Sequence, residues 1–248
     1  MANSSDYWPD EAWLSFHMFQ SGHGRAVFPN YTLNAKNLAL PALKPTLDGE
    51  PNYEDHPVRG LMKDGKPTKW FGEYEVRRAA WWSVLSGACG HVYGTHSIWQ
   101  FHDPEKRAQL TDARTPWKDA LQLPGAKQMG IMRHFMEGLP WWKLRRDDSF
   151  IMPPKDGWDP KFMPMTAVAE DGSFALVYLP DILAGAINFD PFKVAFEPGQ
   201  GRIVSIDPKT GEQVVVPGTT PGDLAKYFKT IPETDEPMDR VLWILGKP

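Results

Sequence analysis

The fold is indicated most clearly by residues 44–55, KPTLDGEPNYED. Leu47 ends a short run with the composition of a buried strand, and the chain then breaks at Gly49 and Pro51. Four acidic residues follow Leu47 closely: Asp48, Glu50, Glu54 and Asp55. In α/β proteins the C-terminal ends of parallel strands carry ligands and catalytic carboxylates. The segment therefore predicts an acidic loop at a strand end, and an acidic surface turn is the alternative.

Length, charge and hydropathy exclude several classes of protein. The 248 residues suffice for one large domain or two ordinary ones. A formal net charge of -4 gives no electrostatic reason to expect nucleic acid or an anionic membrane as a partner. No apolar run approaches the roughly 20 residues that span a membrane, and the start, MANSSDYWPDEAW, is not a secretory signal. The 11 tryptophans would suit sugar rings or simply fill a core.

Neither a cofactor nor a metal is expected from the sequence. The seven histidines are scattered without HxH or HExxH spacing, so no metal site is predicted. The single Cys89 excludes an internal disulfide framework. Because it lies among small residues at 87–90, we predict a packed, inert thiol rather than a nucleophile.

Strand and helix patterns alternate along the first 147 residues. Strand chemistry with polar residues at its end characterises 13–23, WLSFHMFQSGH, and 90–101, GHVYGTHSIWQF. Helices are predicted at 31–43, 73–86 and 124–137, the second of them capped by Gly87. Strands that alternate with helices in this way predict parallel βαβ units.

The remainder of the chain has a different pattern, with short apolar runs between turn signals. The runs are at residues 174–178, 186–189, 202–206, 213–216 and 240–245. Short strands at such spacing predict an antiparallel β-sandwich. Apolar residues on both faces of 240–245 indicate a central or doubly covered strand. We place the boundary between Arg146 and Ile151, which gives domains at 1–147 and 148–248.

Several of these segments together resemble the apiosidase-like glycoside hydrolases. They are DGEPNYED at 48–55, RRAAWWSVLSGACGHVYGTHSIWQF at 77–101, IDPKTGE at 206–212 and DRVLWIL at 239–245. That family has a (β/α)8 barrel followed by a small β-sandwich, often described as a collagen-binding domain. The resemblance implies α/β followed by all-β: about strands six to eight of the barrel, then a sandwich of collagen- or carbohydrate-binding type.

The resemblance also implies a catalytic residue. In the family pattern the Glu of the DGEP motif is the nucleophile at the end of the seventh barrel strand, and it carries over to Glu50. A retaining glycosidase needs that ionised carboxylate and a protonated carboxyl roughly 5 Å away. Substrate contact is implied for His17, Gln20, His23, His96 and Trp99, and we predict it from their place in the loop for Tyr53 and Glu54. For Glu54 a purely structural place in the loop is the alternative, and for Trp99 the alternative is core filling.

The chain departs from the family pattern because strands one to five are missing. A full (β/α)8 barrel takes about 250 residues. The acid/base residue is expected on one of the missing strands. We therefore expect this chain to be the C-terminal piece of an enzyme, and to be inactive and poorly soluble without an upstream barrel segment. Members of the family are commonly exported, so the full-length protein is expected to be secreted or periplasmic.

Two function hypotheses remain open at this point. The first is a retaining glycosidase that acts on side chains of plant cell-wall polysaccharides, with this chain holding the nucleophile half of the site. The second is a non-catalytic glycan- or matrix-binding protein with a remnant barrel.

Overall fold

The computed structural model describes residues 2–148, 151–152, 157, 159–182, 188–189 and 201–246. The chain divides into two compact units. The first comprises Met1–Val84 and Ala88–Gly130, and the second Leu85–Gly87 and Ile131–Pro248. The division after Gly130 falls within a helix. The domain boundary predicted at 146–151 lies further along the chain, and residues 149 and 150 of that range lie outside the described ranges.

The first unit contains five short strands and most of the helices. The strands are β1 (His17–Phe19), β2 (Thr46–Asp48), β3 (Met62–Lys63), β4 (Lys66–Pro67) and β5 (Gly90–His91). The helices are α1 (Tyr31–Leu38), α2 (Glu73–Leu85), α3 (His96–Trp99), α4 (Trp117–Ala120) and the start of α5 (Pro124–Glu137). A 3-10 turn at Ser4–Asp6 precedes β1.

A parallel sheet organises this unit, in the order β1-β2-β5. His17 pairs with Thr46 and Phe19 with Asp48, and Leu47 pairs with Gly90. The C-terminal ends of the strands therefore lie at one edge. This arrangement agrees with the parallel strands predicted from the alternating pattern, and it places the loops after β1 and β2 side by side.

The predicted helices are present, with one shortened. Helices α2 and α5 match their predicted ranges closely, and Gly87 adopts the positive φ of 104° expected of a C-terminal cap. Helix α1 ends at Leu38 rather than at residue 43, because Pro41 lacks the amide that would continue it.

Two sequence predictions about residues 87–101 were wrong. The strand predicted at 90–101 is only two residues long, and His96–Trp99 form a helical turn instead. The reason is the Glu54 loop: Glu54 forms a parallel bridge with Thr95, and the amide of His96 donates to the Glu54 carbonyl at 3.0 Å. Cys89 is exposed rather than packed.

The second unit is built on a six-stranded antiparallel sheet in the order β12-β11-β13-β9-β8-β6. Its strands are β6 (Leu144–Arg146), β8 (Met165–Ala169), β9 (Phe174–Leu179), β11 (Arg202–Ile206), β12 (Gln213–Val215) and β13 (Arg240–Leu245). A separate antiparallel pair joins β7 (Ile151–Met152) and β10 (Asn188–Phe189). Two 3-10 turns, Trp141–Lys143 and Pro160–Phe162, and helix α6 (Pro221–Phe228) complete it.

Strand β13 is central, as its two apolar faces predicted. It pairs with β11 on one side and β9 on the other. On one face Leu242 and Ile244 join a core that includes Leu224 and Phe228 of α6. On the other face Trp243 contacts Phe135 of α5, ring centroids 5.8 Å apart. Strand β8 and helix α6 were not predicted from the sequence, and residues 186–187 of one predicted run lie outside the described ranges. Among the described residues, no helix is long and apolar enough to cross a membrane.

Candidate active site

Glu50 lies two residues beyond the C-terminal end of β2, where the sequence placed it. Each of its carboxylate oxygens faces a donor from the neighbouring loop after β1. Gln20 donates from Nε2 to Oε2 at 2.6 Å, and Nε2 of His23 lies 3.4 Å from Oε1. The Glu50 side chain is 38% exposed, so it remains accessible to a ligand.

The loop after β1 is fixed to β2 by a buried carboxylate. Asp48 accepts from Ser21 Oγ at 2.7 Å and from Asn30 Nδ2 at 3.1 Å. Burial raises the Asp48 pKa to about 6, although these hydrogen bonds oppose the shift. The amide of Gly22 also donates to the Glu50 carbonyl at 2.9 Å. The positions of Gln20 and His23 relative to Glu50 are therefore set by backbone and buried contacts.

His23 presents a defined tautomer to Glu50. The backbone amide of Tyr53 donates to Nδ1 of His23 at 3.3 Å, so that nitrogen accepts and the proton resides on Nε2. Burial, followed by the charges of neighbouring groups, lowers the His23 pKa to about 3. The ring is consequently neutral near pH 7 and offers an N–H to the carboxylate rather than a full positive charge.

Behind His23 runs a column of aromatic rings, the ring column, formed by His23, His56, His96 and Trp99. The centroids of His23 and His56 are 3.9 Å apart, those of His56 and His96 4.2 Å, and those of His96 and Trp99 6.1 Å. Nδ1 of His56 donates to the Pro57 carbonyl at 2.6 Å, and Nε2 of His96 donates to the Thr111 carbonyl at 2.9 Å. Burial lowers the pKa of both rings, that of His56 to about 4.

The carboxylate of Glu50 opens on a cavity of about 460 Å³. Its lining residues are Gln20, Ser21, Gly22, His23, Gly24, Arg25, Phe28, Glu50 and Arg59. Glu50 is the single carboxylate among these lining residues, and Arg25 and Arg59 supply positive charge. A volume of this size accommodates one or two sugar rings.

Sequence and structure comparisons identify the family of the chain and its relatives in fold. The family model of the apiosidase-like catalytic domain matches residues 1–143, more than half of the chain. The chain belongs to the apiosidase-like family. No curated protein matches the sequence.

Two solved structures share the fold of this apiosidase-like chain. A protein titled glycoside hydrolase matches with a TM-score of 0.79 and 25% identity, over 99% of this chain and 55% of its own. A glycoside hydrolase family 5 protein from Bacteroides vulgatus ATCC 8482 matches with a TM-score of 0.80 and 26% identity, over 99% and 53%. The apiosidase-like chain therefore spans about half the length of these structures.

The structure places the other predicted site residues at different distances from Glu50. The Tyr53 ring packs against His23, with centroids 4.7 Å apart, and burial followed by the charge of Glu50 raises its pKa. His96 and Trp99 lie at the far end of the ring column, and Trp99 is 60% exposed. His17 is fully buried in β1, with Ser4 Oγ 3.3 Å from its Nδ1, and does not line the cavity.

Glu54 serves the start of helix α5 rather than the cavity. Its carboxylate accepts from the Gly125 amide, at 3.1 Å to Oε1 and 3.0 Å to Oε2, and from the Tyr93 hydroxyl at 2.5 Å. The residue is 1% exposed, and burial raises its pKa while these hydrogen bonds oppose the shift. Of the two alternatives for Glu54, the structure favours the structural place in the loop.

Three residues near Glu50 were missed from the sequence: Arg25, His56 and Arg59. All lie in irregular segments, where no periodicity indicates the direction of a side chain. The sequence His56-Pro57 is typical of a loop and does not indicate a site. The position of the His56 ring near Glu50 is evident only from its contacts with His23 and His96. No cluster of three metal-ligating side chains occurs within the described part of the chain.

Proposed function

We propose that this chain carries the nucleophile half of a retaining glycoside hydrolase site, with Glu50 as the nucleophile. The observation that carries the proposal is the placement of Glu50: a half-exposed carboxylate at the end of a parallel strand, held by a donor on each oxygen, at the wall of a 460 Å³ cavity. Carboxylates mounted in this way on parallel strands are typical of barrel hydrolases. The matched family and the two glycoside hydrolase structures support the assignment.

The two donors suit a carboxylate that must attack and later leave. Glu50 would attack the anomeric carbon to form a glycosyl ester, while a second carboxyl group protonates the departing oxygen. Water then attacks the same carbon, releases the sugar and restores the carboxylate. Gln20 and His23 hold both oxygens in place, and because both donors are neutral they orient the carboxylate without fully neutralising it.

The acid/base residue has to come from beyond this cavity wall. Asp48 is buried and bonded to Ser21 and Asn30, Glu54 is bonded at helix α5, and Asp55 pairs with Arg114. No described carboxylate other than Glu50 lines the cavity. We therefore propose that the three parallel strands complete a (β/α)8 barrel with further strands that carry the acid, and that this chain is inactive without them.

The proposed substrate is a side chain of a plant cell-wall polysaccharide, as the family implies. Trp99 is available for stacking on a sugar ring, since it is exposed and parallel to His96. For the second unit we propose a β-sandwich of collagen- or carbohydrate-binding type, with its ligand among matrix glycans or proteins.

A test compares Glu50→Gln with the wild-type residue in a version of the protein that includes the remaining barrel strands. The amide keeps the size of the side chain but cannot form the glycosyl ester, so turnover should fall by more than about 10²-fold. Glu137→Gln, at an exposed position of α5, is the matched control and should keep full activity. A Glu50→Gln protein with more than about a tenth of wild-type turnover would exclude Glu50 as the nucleophile.

The second candidate function is glycan binding without catalysis. It is favoured by the single carboxylate in the cavity. In that case the Glu50→Gln variant would bind glycans as the wild type does, and no added strand segment would produce hydrolysis.

A further inference from the structure

A second cavity of about 540 Å³ lies in the first unit, on residues that the proposed catalytic role does not use. One wall is the β3-β4 hairpin, whose turn residues Asp64 and Gly65 both have positive φ angles. The opposite wall comes from the segment 102–114. The lining residues are Lys66, Pro67, Trp70, His102, Pro104, Arg107, Ala108, Gln109, Asp112, Ala113 and Arg114.

Positive charge dominates this cavity. Lys66 and Arg107 have no ion-pair partner among the described residues. Arg114 pairs with Asp55 at 2.5 Å, and its guanidinium lies 4.5 Å from the centre of the Trp70 ring. Asp112 is the single carboxylate in the lining. In a chain with a net charge of -4, this local excess of cations predicts a negatively charged ligand.

Two buried nitrogen atoms of the lining residues have no hydrogen-bond partner within the described part of the chain. They are Nδ1 of His102 and Nε1 of Trp70. His102 is only 5% exposed, so its ring is turned away from bulk solvent. Buried polar atoms are nearly always hydrogen-bonded in folded proteins, so these two nitrogens offer unused hydrogen-bonding capacity at the cavity wall.

Backbone strain is concentrated in the same wall. Thr111 and Asp112 have φ angles of 51° and 60°. Residues other than Gly seldom adopt a positive φ, and β-branched residues such as Thr adopt it least often. Two long-range contacts hold this conformation: His96 donates to the Thr111 carbonyl at 2.9 Å, and the Leu110 amide donates to Gln100 Oε1 at 2.8 Å. Strain that the surrounding structure maintains is typical of ligand-binding segments.

We propose that this cavity binds the anionic group of an acidic saccharide, a carboxylate or a sulfate ester, through Lys66, Arg107 and His102. The saccharide part of the proposal rests on the proposed function. The ring column lies between residues of the two sites: His96 at one end donates to the Thr111 carbonyl, and His23 at the other end contacts Glu50. An oligosaccharide anchored by its charged residue here would extend toward Glu50.

The experiment is calorimetric titration of the same version used for the Glu50 test, which includes the remaining barrel strands, carrying Glu50→Gln so that no hydrolysis intervenes. The probes are a trimer of galacturonic acid, a sulfated disaccharide, a neutral galactose trimer and inorganic phosphate. At low ionic strength we expect at least one acidic saccharide to bind about tenfold more tightly than the neutral trimer, and added salt should reduce that difference.

Variants locate the site. Arg107→Gln and Lys66→Gln should each weaken binding of the acidic saccharide by roughly threefold to tenfold, whereas Asp112→Asn should strengthen it. Lys127→Gln removes an exposed charge of α5 outside the lining and is the matched control. Equal affinity for the neutral trimer, equal affinity for phosphate alone, or an Arg107→Gln variant that behaves as Lys127→Gln would overturn the proposal.

The outcomes also separate this site from the catalytic assignment. Charge-dependent binding together with a Glu50→Gln enzyme that still hydrolyses glycosides would keep the anion site and reject the nucleophile. Hydrolysis that depends on Glu50 but shows no preference between charged and neutral saccharides would keep the nucleophile and reject the anion site.

Discussion

His23 keeps the same charge over the pH range in which most glycosidases work. Its folded pKa of about 3 lies below the ordinary value, since burial disfavours the protonated ring and the adjacent His56 and Arg59 disfavour it further. The neutral donor to Glu50 is therefore present above about pH 4 and is lost only as the pH falls through 3. An acid limb of activity near pH 6 would have to come from another group.

Nuclear magnetic resonance of the imidazole nitrogens tests this prediction. We expect His23 to show the Nε2–H tautomer from pH 8 down to about pH 4, with no titration step near the ordinary histidine value of about 6.5. Free histidine measured in the same buffers provides the reference for an ordinary titration. A His23 signal with the proton on Nδ1, or one that titrates near pH 6.5, would contradict the geometry.

The residues around Glu50 differ in how far the sequence could predict them. Gln20, His23 and Glu50 follow two short strands, and parallel pairing brings strand ends together whatever the loops do. His56 and Arg59 lie beyond Pro51, in a loop closed by tertiary hydrogen bonds such as Arg59 amide to His23 carbonyl at 3.1 Å. Such contacts join residues far apart in sequence, so no local pattern marks them.

At the level of elements, helix α5 depends on Glu54 for the start of its first turn. The first amides of a helix have no partner within the helix, and a carboxylate there also interacts favourably with the helix dipole. Glu54→Ala would leave the Gly125 amide and the Tyr93 hydroxyl buried without that acceptor. We expect the free energy of unfolding to fall by about 2 kcal/mol.

Chemical denaturation of the variants measures this effect. Glu54→Gln keeps one acceptor oxygen and should lose less stability than Glu54→Ala. Glu137→Ala, at the other end of α5, removes only an exposed pair with Arg133 and should cost less than about 0.5 kcal/mol. Equal losses for the Ala variants at positions 54 and 137 would show that the buried carboxylate does not support the helix.

Elements were predictable from the sequence where a long period or a strong turn signal was present. Helices α2 and α5 have both a periodic pattern and defined ends. Helix α6 begins with Pro221 and Gly222, which resemble a turn, and its capping box between Thr220 and Asp223 is recognisable only once the helix is known. His96–Trp99 has strand-forming residues, but the hydrogen bond to Glu54 turns it into a helix.

For the whole molecule, the parallel sheet has two outer strands, β1 and β5. Short parallel strands are stable when both edges are paired or covered, as in a closed barrel. We therefore expect the chain expressed alone to associate or precipitate, and a co-expressed segment with further barrel strands to increase the soluble monomer. Size-exclusion chromatography of the chain alone measures this directly. A soluble monomer that hydrolyses glycosides unaided would mean that the acid is already present in the chain.

Cys89 offers a practical point of attachment. It is the chain's one thiol, it is exposed, and its amide donates to the carbonyl of Thr46 at the start of β2. The thiol thus lies at the N-terminal end of the parallel strands, whereas Glu50 follows their C-terminal end. A biotin or fluorophore coupled by maleimide would immobilise the protein with its cavity open to solution. Partial desolvation by neighbouring groups raises the pKa of the Cys89 thiol, so coupling at neutral pH should be slower than that of free cysteine.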